Sequence, residues 1–89
     1  MELKNHHVVV TGAQRGIGRA FARMCARDGA HLCLVMRKED VQFEEELLKL
    51  GAMSVATEIV DLSTMEAVET LAAKLQKQTV DVLFNNAIS

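Results

Sequence analysis

Residues 11–18 read TGAQRGIG, and the segments on either side of them decide the fold. Before them, HHVVV (6–10) is short and β-branched, and Val8–Val10 is apolar throughout, as in a strand covered on both faces. After them, RAFARMCARDG (19–29) places Ala20, Phe21, Met24 and Cys25 at helical spacing, with Gly29 where a helix C-terminus needs one. A glycine-rich turn that leaves a strand and opens a helix points backbone N–H groups outward at the positive end of the helix dipole. That arrangement is an anion site and suits a pyrophosphate. Gly12 permits the tight turn, Gly16 lets a phosphate approach the backbone, and Gly18 lets the helix pack closely on the strand. A P-loop is excluded, because Gly18 is followed by Arg19 and Ala20 rather than by Lys and Ser or Thr.

The alternation continues outward from this turn. HLCLVM (31–36) reads as a second buried strand. DVQFEEELLKLG (40–51) starts at a potential Asp40 N-cap, repeats Phe43, Leu47 and Leu50, and closes on Gly51. SVATEIV (54–60) is a third strand. STMEAVETLAAKLQKQ (63–78) opens with Ser63 three residues before Glu66, a capping box, and carries Met65, Val68, Ala72 and Leu75 on one stripe. Lys74 and Lys77 suit the negative end of that helix. VDVLFNN (80–86) is the fourth strand. The order β-α-β-α-β-α-β predicts an α/β fold, the N-terminal half of a doubly wound parallel Rossmann sheet with strand order 3-2-1-4.

The 89 residues amount to one domain or less, and a chain this short has a thin core. The hydrophobic share of 49%, the charged share of 25% and the mean hydropathy of +0.11 describe an ordinary soluble globular chain. A net charge of −2 and a 3% aromatic share offer nucleic acid neither attraction nor stacking, and no segment approaches a membrane span. A cytoplasmic location is expected. Cys25 and Cys33 read as small buried hydrophobes, and His6, His7 and His31 have no ligand-like spacing for a metal.

Three motifs at strand ends carry a resemblance. TGAQRGIG after a Val-rich strand resembles the signature of the short-chain dehydrogenase/reductase family, in its shorter single-domain subgroup. NNAIS (85–89) resembles that family's Asn-Asn-Ala-Gly motif after the fourth strand, and VDLS (60–63) resembles its Asp-containing turn after the third. The resemblance covers Lys4 to Ser89 and implies that residues 1–89 are a partial NAD(P)-binding Rossmann domain. It implies that Gly12, Gln14, Arg15, Gly16, Ile17 and Gly18 surround the pyrophosphate and adjoining ribose of a dinucleotide cofactor. Asp61 and Leu62 would meet the adenine, Asn86 and Ala87 would lie beside the adenosine ribose, and Thr11 would tie the glycine turn to the fourth-strand motif. Asp61 also reads as an ordinary N-cap of the third helix, and Asn85 as satisfying local backbone. Ile88 stands where the family has glycine, either by substitution or after loss of one glycine.

The end of the second strand selects the cofactor. An acid there suits the 2′-hydroxyl of NAD, and a cation suits the 2′-phosphate of NADP. Here Met36 takes the acid's place and Arg37 follows, with Arg15 able to approach the same phosphate. NADP is therefore expected rather than NAD, although pairing of Arg37 with Glu39 would weaken that case. The family's catalytic Tyr-x-x-x-Lys has no counterpart, because the chain has no tyrosine. The expectation is an NADP(H)-binding portion of an oxidoreductase for an alcohol/carbonyl pair, truncated after the fourth strand and inactive as 89 residues. A non-catalytic nucleotide-binding or interaction module, or a decayed gene product, are the alternatives. The exposed edge of the fourth strand is expected to favour self-association.

Overall fold

In the computed structural model, which describes residues 2–14 and 16–85, the elements follow the order read from the sequence. They are β1 (His7–Thr11), α1 (Gly16–Arg27), β2 (His31–Met36), α2 (Val41–Leu50), β3 (Ser54–Ile59), α3 (Met65–Gln76) and β4 (Val82–Asn85). Every strand pairing is parallel, in the order β3-β2-β1-β4, with Val9 opposite both Cys33 and Leu83 and Cys33 opposite Ala56. Alternation along the strands supplies two layers of core. Val8, Val10, Leu32, Leu34 and Met36 pack with Ala22, Cys25, Ala26, Phe43 and Leu47 under α1 and α2. Val9 and Val35 pack with Leu71 and the flanking Cys33 and Leu75 under α3.

The helix seats differ from the apolar stripes of the sequence, and the sheet explains why. On α1, Ala20 and Met24 are exposed, and the inward face is Gly18, Ala22, Cys25 and Ala26. These residues recur at i, i+4, i+7 and i+8 and are all small, so the helix axis can lie close to the Val-rich strands. On α3, Met65, Val68 and Ala72 of the expected stripe face outward, while its Leu75 turns inward together with Leu71 toward Val9 and Val35. This helix carries apolar residues at adjacent positions, so two stripes were compatible with its pattern, and the surface of β1 and β2 selects one of them. Helix α2 follows its pattern, with Phe43 and Leu47 fully buried and Leu50 partly so.

Caps follow the same physics. Asp40 caps α2, its carboxylate accepting from the Phe43 N–H at 3.0 Å. At α3 the cap is Thr64, which accepts from the Ala67 N–H at 3.1 Å, so the Ser63–Glu66 capping box does not form. Gly29 (φ 83°) ends α1, with its N–H on the Ala26 carbonyl and the Ala30 N–H on the Cys25 carbonyl. Lys74, placed by the sequence at the helix's negative end, also reaches across to Glu58 of β3. Strand β4 pairs with β1 and lies at the edge of the sheet, with Leu83 exposed.

Both thiols lie among apolar neighbours, although Cys33 is only half-buried. Burial pushes the Cys25 thiol up to about 11, with the charge of Asp28 adding to the effect. Because the thiolate is the reactive form, alkylation of Cys25 at pH 8 should run about a hundred-fold below that of an ordinary thiol. Mass spectrometry after iodoacetamide treatment should find Cys25 protected in the folded chain and modified in urea. Equal rates in the two states would contradict this packing.

Candidate functional site

The C-terminal ends of parallel strands gather the turns that follow them, and here hydrogen bonds stitch those turns together. Gly12 (φ 65°) leaves β1 and donates its N–H to the Val35 carbonyl of β2 at 3.0 Å. The Val60 N–H, just beyond β3, donates to the Met36 carbonyl at 2.8 Å. On the other side of β1, the Thr11 hydroxyl donates to Asn85 Oδ1 at 2.8 Å and lies 3.5 Å from the Phe84 carbonyl. Thr11 thus ties the turn to β4 as expected, but the amide that receives it is Asn85. The Asn85 amide oxygen, expected to serve local backbone, accepts from Thr11, its register partner across the parallel pair.

Helix α1 starts inside the glycine motif. Gly16 (φ 63°) is its first residue, and a Cβ built there would meet nothing within 4 Å. The backbone at Gly16 therefore faces open space in a left-handed conformation that L side chains rarely adopt. No acid lies in the first turn of α1, so its partial positive charge is not neutralised from within. Gln14 and Ile17 are exposed beside it, while Gly18 is buried under the helix.

Across the sheet, Arg37 follows β2 and Asp61 follows β3. Their nearest charged atoms are 3.9 Å apart and both side chains are largely exposed. Arg37 therefore faces Asp61, the residue assigned to the same ligand from the neighbouring strand. Asp61 does not cap α3. Its Oδ1 accepts from the Ser63 N–H at 3.0 Å, and that bond first, with the Arg37 charge behind it, holds the carboxyl below its ordinary range. Leu62 is half-buried against the core under α3. From Val60 and Asp61 an open groove of about 560 Å³ runs between β3 and α3 to Thr70 and Lys74. The histidines sit at the opposite end of the sheet, where His7 stacks on His31 at 4.5 Å. Arg15, Asn86 and Ala87, together with Ile88, lie outside the described residues.

Sequence reasoning used Arg19 only to exclude a P-loop, and it missed that side chain's place beside the turn. Its guanidinium lies over the Phe43 ring at 3.9 Å, and its Nη1 is 3.4 Å from both the Gln14 carbonyl and Asp40 Oδ2. The signal was available: an arginine directly after the glycine turn, with an Asp-x-x-Phe start on the next helix.

A profile described as short chain dehydrogenase matches residues 6–88. The chain belongs to the short-chain dehydrogenase family. It is 39% identical to L-rhamnose 1-dehydrogenase (NAD(P)(+)) of Azotobacter vinelandii, a match spanning 98% of this chain and 37% of that protein. Among solved structures, L-sorbose reductase from Gluconobacter frateurii, complexed with NADPH and L-sorbose, superposes with a TM-score of 0.82 at 33% identity. That match covers 100% of this chain and 35% of the reductase. An NADH-dependent reductase complexed with NAD gives the same TM-score of 0.82 at 28% identity, covering 98% of this chain and 38% of that one. The chain thus spans little more than a third of the curated relative. Among the described residues, no helix is long and apolar enough to cross a membrane.

The Thr11 hydroxyl ties the glycine turn to β4 through Asn85 Oδ1. Thr11→Val keeps the β-branched shape and removes the donor, so it should lower the unfolding free energy by about 1 kcal/mol. Urea denaturation checks this value, and an unchanged midpoint would show that the tie contributes nothing.

Proposed function

We propose that the chain is the NADP(H)-binding portion of a short-chain oxidoreductase acting on an alcohol/carbonyl pair. The observation that carries this reading is the open, left-handed backbone at Gly16 on the N-terminus of α1, with Arg37 and Asp61 facing each other nearby at the strand ends. Gly12, Gln14, Arg15, Gly16, Ile17 and Gly18 hold the pyrophosphate and its ribose, where backbone N–H groups and the helix dipole favour an anion. Asp61 accepts from the adenine amine, the Leu62 backbone serves the ring, and Asn86 and Ala87 line the ribose. The fit is supported by space at Gly16 and by the acid-free first turn of α1.

Magnitudes decide the role of Arg37. Its contact with Asp61 is exposed and long, and such surface pairs contribute about 0–1 kcal/mol. A charge-assisted bond to a 2′-phosphate contributes about 1.5–3 kcal/mol. Arg37 would therefore exchange Asp61 for the 2′-phosphate, and Asp61, still accepting from the Ser63 N–H, would meet the adenine. Both NADPH and NAD complexes occur among the matching structures, so Arg37 is what favours NADP here. When bound, the cofactor supplies hydride transfer, but the sequence holds no tyrosine to serve as the family's acid or base. The 89 residues bind without turnover.

Fluorescence titration of the chain with NADPH and NADH tests this directly. NADPH should bind about ten- to a hundred-fold tighter, and Arg37→Ala should remove the difference. Gly16→Ala should weaken both cofactors sharply while costing about 1–3 kcal/mol of stability from its positive φ. Equal affinities for the two cofactors in the wild type, or turnover of a carbonyl by the 89-residue chain, would contradict the proposal.

A further inference from the structure

Arg19, Asp40 and Phe43 close a triangle between the first two helices. Asp40 Oδ1 accepts from the Phe43 N–H at 3.0 Å, and Oδ2 lies 3.4 Å from Arg19 Nη1. The Arg19 guanidinium lies over the fully buried Phe43 ring at 3.9 Å. A planar cation on an immobile aromatic face is held in orientation as well as position. The same Nη1 reaches the Gln14 carbonyl in the glycine turn at 3.4 Å. Each polar contact is long, yet they converge on one guanidinium that the ring keeps in place.

The consequence concerns two segments that are separate in sequence. Gln14 belongs to the glycine turn, and Asp40 ends the four-residue loop that starts at Arg37 after β2. We infer that Arg19 is a positioning residue that clamps the glycine turn to the Arg37–Asp40 loop, so that the sites for the pyrophosphate and the 2′-phosphate keep a fixed separation. This inference rests on the cofactor reading above. A rigid dinucleotide gains affinity from both sites together only when their spacing is set before it arrives. Planarity matters, since Nη1 makes both polar contacts while the flat guanidinium lies on the Phe43 ring, a stacking that the compact ammonium of a lysine does not reproduce.

A double-mutant cycle on the full chain tests the clamp, with NADPH affinity as the readout. Arg19→Met should weaken NADPH about ten-fold, and in that background Arg37→Ala should cost less than half its wild-type penalty on a logarithmic scale. A residue that only stabilises the helix pair would leave the two penalties additive, and additivity overturns the inference. Arg19→Lys should recover only part of the loss, and full recovery would mean that charge alone acts. Should Arg19→Met fail to fold, Asp40→Asn keeps the capping oxygen and removes the opposing charge. It should show the same non-additivity with Arg37→Ala, and additive penalties there overturn the clamp equally. If the wild-type chain binds neither NADPH nor NADH, the cofactor reading itself fails and takes this inference with it. If the wild type binds and Arg19→Met binds as well, the clamp alone is refuted.

Discussion

The close seating of α1 on β1 and β2 is the constraint on which the remaining structure depends. Gly18, Ala22, Cys25 and Ala26 are the inward face of that helix, and all are buried beneath it. Their small size lets the axis approach the Val-rich strands, and that approach sets the N-terminus of α1 beside the end of β1. The glycine turn has to cover the distance between them in four residues, 12–15. Positive φ at Gly12 and Gly16 makes this short path possible, and the resulting backbone faces outward at the positive end of the dipole. A larger side chain in the seam would lift the helix and move the glycine turn with it.

The polar groups around the turn then divide by strength. Thr11 and Asn85 make a short, direct bond that fixes the turn to β4. Arg19 is held by a ring and by two longer contacts, and it connects the turn to the start of α2. Arg37 and Asp61 are exposed and only loosely paired, so solvent screens them and a ligand can separate them at little cost. The groups that set geometry are thus held firmly, whereas Arg37 and Asp61 remain exposed and available.

Much of this was legible in the sequence because its strongest signals are local. A Val-rich run, the spacing of Gly12, Gly16 and Gly18, and three helical patterns between apolar runs leave few alternatives to a parallel sheet in the order 3-2-1-4. Helix orientation was less legible. The pattern of α3 admits both a Met65–Val68–Ala72–Leu75 stripe and an inward face of Leu71 and Leu75, and only the surface of Val9 and Val35 distinguishes them. On α1 the buried face is made of residues too small to dominate a hydropathy pattern, whereas exposed Met24 stands out in it. The Thr64 cap lay one residue from the Ser63 that matched a familiar motif. Contacts between distant segments depend on topology: the tie from Thr11 to the fourth strand was expected but its Asn85 partner was not, and the arginine after the glycine turn meets the Asp-x-x-Phe start of α2 only because the fold brings them together.

The central claim is that the strand ends which carry the glycine turn, Arg37 and Asp61 form the adenosine half of a dinucleotide site. Amide NMR spectra of the isotopically labelled chain, titrated with 2′,5′-ADP, test it most directly because the fragment lacks a nicotinamide. Shifts concentrated at residues 12–18, Arg37, Asp61 and Leu62, with His7 and His31 unmoved at the far end of the sheet, are the predicted result. Shifts centred on the histidine end, or none at saturating ligand with the chain folded, would contradict the account.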